Sequence, residues 1–315
     1  PYLENLEFFT MTVSIAGLCL PALPTEHKLN RILASSLGQK SPFSPTVLET
    51  PPWDAACFNL SNCTLFTDAA AQEQQQILQL ASLALLAESY AIERAGVGYM
   101  AKMTLLAETT EERMLYALFS ADETTHLAQL MPFVAEPDAL GDEDPFLQLL
   151  ESLLMTGDRT ALIFVIQVVL EGWGLSHYRT LSKHCRHREL GELFRSFLAA
   201  ESRHHGAGIL LFEGEQLSSK SRGLIVETLA RFLQMVQVGP QRLVSAIAQV
   251  KGGLSHAQQV QLFTELDTET QSNERLSLLR SLITQASTDI AQQLDQYGLF
   301  TPLPPAQCAL GDFSS

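Results

Sequence analysis

Apolar positions set a helical rhythm from Ala70 onward. Between Ala70 and Ala107 there is no proline, and Ile77, Leu80, Ala84, Leu85, Ala91, Ile92, Ala95 and Tyr99 recur at helical spacing, which predicts one long helix. Thr109-Thr-Glu-Glu112 reads as an N-cap with acids in the first turn, so a second helix is expected to run to about Leu130. The short connection makes the two antiparallel neighbours. Pro132 to Pro145, rich in acids, reads as a crossover between two halves. A third helix should begin near Leu147 or Asp158 and continue through Leu181; its middle, Ala161 to Leu170, is nearly all apolar and should be buried on both sides. A fourth, from about Glu189 to Phe212, closes at Gly214.

The flanks read differently. Prolines at positions 21, 24, 42, 45, 51 and 52 break up residues 1–70, leaving a helix from about Glu26 to Leu37 and an irregular wrap that packs Trp53 and Phe58 onto the rest. After Ser218 helical spacing resumes at Arg222 to Gln237, Gln241 to Val250, His256 to Leu266 and Thr268 to Tyr297, and Pro302-Leu-Pro-Pro opens a loose tail. The expected organisation is all-α: a wrap over 1–70, four helices over 71–215, and a helical extension over 216–315 packed on them.

Candidate chemistry sits in the four helices, which carry one pattern twice. Glu93 is followed 30 residues later by Glu123-x-x-His126, and Glu171 is followed 30 residues later by Glu201-x-x-His204. Glu93-Arg-Ala-Gly96 and Glu171-Gly-Trp-Gly174 also share a glycine, so an internal repeat is expected. The offset of three puts carboxylate and imidazole on one helix face. Four such helices packed antiparallel would gather four carboxylates and two imidazoles, a donor set suited to two iron or manganese ions.

This constellation resembles the ferritin-like, carboxylate-bridged di-iron superfamily over about the middle 140 residues. The resemblance implies a ferritin-like four-helix bundle, with Glu93, Glu123, His126, Glu171, Glu201 and His204 as ligands to two iron ions or a manganese–iron pair. The residues leave two rivals standing. Glu88 competes with Glu93, because Glu93 shares a stripe with Gln75, Gln79, Ser82 and Ser89 that could face water; His205 competes with His204, being four residues from Glu201. Asp122 is placed to hold an imidazole from behind, and Arg203 to pair with a carboxylate. Tyr99 and His177 are candidates to line a pocket, and Gly96 and Gly174 to leave space beside the metals.

Composition narrows the partners. Thirty-five acids against 20 bases give a net charge of −15, which disfavours nucleic acid; the basic stretch Arg179 to Arg188 is the one local exception and reads as a solvated loop. Five cysteines without a Cys-x-x-Cys pair argue against a disulfide framework or a rubredoxin-like site and favour a reducing cytoplasm. The apolar run from Phe8 to Leu23 contains Pro21 and is too short to span a membrane.

The resemblance implies a di-iron oxygenase or oxidase that uses O2 and an external electron donor, and the long flanks look sufficient to build a chamber for a small, largely apolar substrate. The alternative is a ferroxidase, iron-handling or peroxide-reducing relative. A tRNA-modifying hydroxylase is disfavoured by charge, and a metal-free bundle by the cost of burying its acids. A homo-oligomer is compatible with all of these.

Overall fold

The structure is a computed structural model and describes residues 20, 23, 26–38, 46, 48–135 and 144–311. Most of the Phe8 to Leu23 run, most of the proline-rich stretch before position 48, and residues 136–143 of the acidic crossover lie outside the described residues. Among the described residues every regular element is helical.

The N-terminal part contributes α1 (Lys28–Ser36) and the short α2 (Thr64–Thr67). The long proline-free run forms α3 (Ala71–Leu106), 36 residues and about 54 Å at 1.5 Å per residue. Thr109 caps α4 (Thr110–Leu130) by accepting from the Glu112 amide, while Glu112 accepts in return from the Glu108 amide. These two helices pack along their lengths.

The second half takes the later of the two expected starts for its third helix, and the earlier one begins a separate helix. Gly157, at φ 66°, ends α5 (Pro145–Thr156), and Asp158 caps a new start. The new helix runs unbroken from Arg159 to His184 as α6 (Arg159–Leu162), a π-helical stretch over Ile163–Leu170, and α7 (Glu171–His184). It is long and apolar enough to cross a membrane by composition, but 61% of its most apolar window is buried against the rest of the chain, as in a core helix. After a turn in which Arg186 pairs with Asp54 and Arg188 with Glu192, α8 (Arg188–Glu213) returns along α7. The basic stretch thus meets acids of the same chain.

The C-terminal part forms α9 (Ser219–Gln237), α10 (Gln241–Lys251), α11 (His256–Glu265), α12 (Thr268–Ala286), α13 (Thr288–Gln296) and α14 (Pro305–Cys308). Ser287 breaks the expected last long helix by capping α13 with its side chain. The expected loose tail is ordered instead: Cys308 is buried against Ile247 and Phe263, and Gln241 donates to its carbonyl.

The largest apolar core joins α3, α4 and α5 to the π-helical stretch and to α9, α12 and α13. A second core binds Trp53 to Leu86, Tyr178 and Phe194, with the Trp53 indole donating to the Leu181 carbonyl. The wrap is therefore pinned to α7 as well as packed on it.

Candidate metal centre

Glu93, Glu123, His126, Glu171, Glu201 and His204 converge between α3, α4, α7 and α8. All but Glu171 are almost fully buried. Ligand-type atoms of Glu93, Glu123, His126 and Glu201 lie within 4.8 Å of one another, and so do those of Glu123, Glu171 and His204.

The oxygens are divided between two half-sites. Each imidazole turns Nδ1 inward. His126 Nδ1 lies 3.1 Å from Glu93 Oε2, 3.4 Å from Glu201 Oε1 and 3.9 Å from Glu123 Oε2. His204 Nδ1 lies 3.1 Å from Glu123 Oε1 and 3.9 Å from Glu201 Oε2. Glu123 and Glu201 thus offer one oxygen to each side, the disposition of bridging carboxylates, with Glu93 on the His126 side and Glu171 on the His204 side.

Burial makes this arrangement costly without a cation. Burial and the neighbouring carboxylates push Glu123 and Glu171 well above the usual carboxylate range. Burial lifts Glu201 to about 7 even though His126 opposes it. For His126, burial favours the neutral ring, but hydrogen bonds accepted by Glu201 and Glu93 win and raise it to about 9; His204 is lowered to about 4 by burial, with Asp122 opposing. Protons stand in here for missing positive charge.

Two divalent ions fit that deficit. They would neutralise four glutamates, leaving two neutral imidazoles as nitrogen donors. Two atoms also await a partner: Glu171 Oε2 and His204 Nδ1 are buried without a hydrogen bond. Both belong to the half-site around Glu171.

The surroundings fix each ligand differently. His204 Nε2 is held 3.3 Å from Asp122 Oδ2, so the acid beside Glu123 braces the imidazole of the other repeat rather than His126. Exposed Arg203 pairs with a carboxylate as expected, but through one contact to the same Asp122 oxygen at 3.0 Å and from the surface. The Tyr178 hydroxyl donates to Glu93 Oε1. His126 stacks on Phe197 at 4.1 Å.

Both rivals fall outside the cluster. Glu88 is tied to Arg242 on α10, and His205 turns to the Gln167 carbonyl at 3.3 Å. Glu93 is 1% exposed and its companions Ser82 and Ser89 are fully buried, so this part of the stripe faces protein, while Gln75 at its start is exposed.

Gln167 is the residue the sequence reading missed. It accepts from the hydroxyls of Tyr99 (3.0 Å) and Tyr116 (2.9 Å) and donates to the His204 carbonyl (2.7 Å). It lies in the π-helical stretch four residues before Glu171; such stretches interrupt α-helices at functional sites more often than elsewhere. Its signal in the sequence was a lone amide inside the apolar run Ala161 to Leu170.

A cavity of about 90 Å³ opens against Glu93, Glu123, Glu171 and Glu201. Its other walls include Ile92, Leu150, Leu154, Ile166, Leu170 and Trp173. Among the described residues the lining comes from 88 to 201, so α5 rather than the described terminal flanks closes the chamber, which corrects the expectation for those flanks. Tyr99, His177, Gly96 and Gly174 all line it, but the two glycines differ. A Cβ at Gly96 would stand 2.6 Å from Glu123 Oε2, whereas one at Gly174 meets nothing within 4 Å.

No protein-family model, curated protein or solved structure matches this chain.

Proposed function

We propose that the chain is a ferritin-like di-metal oxidoreductase that activates O2 and oxidises a small, largely apolar substrate. The observation that carries this reading is the juxtaposition of three buried carboxylates, the half-buried Glu171 and two imidazoles with a largely apolar chamber opening directly on the carboxylates. Two reduced iron ions, or a manganese–iron pair, would supply electrons to dioxygen there.

The chain's own residues do the rest. Glu93, Glu123, His126 and Glu201 would hold one ion, and Glu123, Glu171 and His204 the other. Asp122 orients His204, and Tyr178 holds a proton against Glu93 Oε1 at the cavity wall. The apolar walls exclude water and keep reactive species from the solvent. A ferroxidase or peroxide-reducing relative has no need of such a chamber, which ranks that reading second. Electrons come from an external donor on this scheme.

Elemental analysis of the purified protein after anaerobic ferrous loading tests the reading. Close to two metal ions per chain are expected, lost in the Glu171→Ala, His204→Ala double variant, with O2 uptake by the reduced wild type only. Wild type without bound metal overturns it.

A further inference from the structure

The chamber's walls hold polar groups beyond the acid–imidazole cluster, and one of these has an atom without a partner. Beyond the acid–imidazole cluster its titratable lining residues are Glu88, Tyr99, His177 and Tyr178. Tyr99 is bonded to Gln167, Tyr178 to Glu93, and Glu88 to Arg242, which in turn grips Asp144. His177 alone among these four keeps a buried ring nitrogen, Nε2, without a hydrogen-bond partner.

The position of that nitrogen is fixed by its neighbours. The His177 ring stacks on Trp173 at 6.2 Å and leans on Tyr178 at 5.8 Å. His177 lies six residues after Glu171, and Glu88 five before Glu93. At 1.5 Å per residue those offsets place both about 8 Å along their helices from the cluster. Both lie on the same cavity and within electrostatic reach of each other.

Resting on the di-metal reading above, we propose that His177 is the specificity-determining residue, its Nε2 hydrogen-bonding an uncharged hydroxyl or carbonyl at the far end of an otherwise apolar substrate. A bare hydrocarbon would leave this buried nitrogen unpaired. Of the cations near this end, Arg242 is already shared by Glu88 and Asp144, and Arg275 sits in the fields of Glu88 and Glu274, so a substrate carboxylate would enter a largely apolar chamber as an added charge, which is costly. Burial keeps the imidazole neutral by lowering its proton affinity, so it accepts from an alcohol or donates to a carbonyl according to tautomer. The substrate class is thus a neutral amphiphile whose polar group and oxidised atom are separated by about 8 Å.

Calorimetric titration of the ferrous-loaded, anaerobic protein with 1-octanol, octanoate and 1-fluorooctane tests this, with metal content measured on each sample. Wild type should bind 1-octanol about tenfold more tightly than either of the other two, the size of one well-made buried hydrogen bond. His177→Phe should abolish the preference without changing affinity for 1-fluorooctane or metal content, and His177→Gln should retain part of it. Equal binding of the three probes, no binding of any, or an unchanged preference in His177→Phe overturns the proposal. Metal content separates the two ideas. Metal bound without a preference sinks the anchor alone, and a preference without metal sinks the di-metal reading alone.

Discussion

Gly96 and Gly174 occupy equivalent places in the two repeats, yet adding one methyl group to each should have opposite consequences. An alanine Cβ at position 96 would stand 2.6 Å from Glu123 Oε2 and 2.8 Å from its Cδ. Ordinary contact between such atoms is about 3.5 Å, so the carboxylate must retreat by roughly 0.9 Å. That carboxylate faces both imidazoles, so any retreat disturbs both half-sites at once. Alanine also favours the helix by up to ~1 kcal/mol, against an overpacking cost of about 1–3 kcal/mol. In Gly96→Ala the metal-free protein should therefore change little in stability, while metal affinity falls by about 10–100-fold, or about 1.4–2.7 kcal/mol. Gly174→Ala meets nothing within 4 Å and should bind metal normally, with a small gain in stability. Chelator competition gives the affinities, and thermal unfolding with and without ferrous ion gives the stabilities. Wild-type affinity in Gly96→Ala, or an equal loss in both variants, would refute the reasoning.

Three further outcomes are expected. Gln167→Leu leaves the Tyr99 and Tyr116 hydroxyls and the His204 carbonyl without this partner, so urea unfolding should show a loss of about 3 kcal/mol; a loss under 1 kcal/mol would mean that other groups satisfy them. Gly174→Leu should shrink the chamber and slow turnover with iron content preserved; unchanged kinetics would exclude this wall from substrate contact. The metal-free protein should grow less stable as pH rises from 6.5 to 9. Glu123, Glu171, Glu201 and His126 bind protons more tightly folded than unfolded, so the stability they give at low pH is lost as they titrate. His204, lowered to about 4, has the opposite sign but completes its change below that window, near its ordinary 6.5. Metal loading should flatten the slope in thermal melts across that range, because the ions take the place of the protons.

The helices were legible in the sequence because periodicity and proline placement are local. So was the gathering of the six acids and imidazoles, because equal offsets in two halves constrain where the partners meet. What stayed hidden depends on contacts between elements. Asp122 braces His204, a residue 82 positions away, and no spacing within one helix reveals that. The polar stripe of Ser82, Ser89 and Glu93 looks solvated by composition, yet the fold covers it. Gly96 and Gly174 share a motif and differ only in what stands opposite. The choice between the two expected starts of the third helix turned on Gly157, whose left-handed backbone ends α5 and lets that helix serve as a wall of the chamber.

The repeat duplicates the ligands but not what grips them. One Glu93 oxygen is already engaged by a phenol and the other by an imidazole, while Glu171 Oε2 has no hydrogen bond. Ions arriving one at a time would therefore meet two berths of unequal readiness: Glu171 offers an unengaged oxygen, and both Glu93 oxygens would first have to give up a partner. Loading would acquire an order, and an order would give a pair of unlike metals a means of finding separate places.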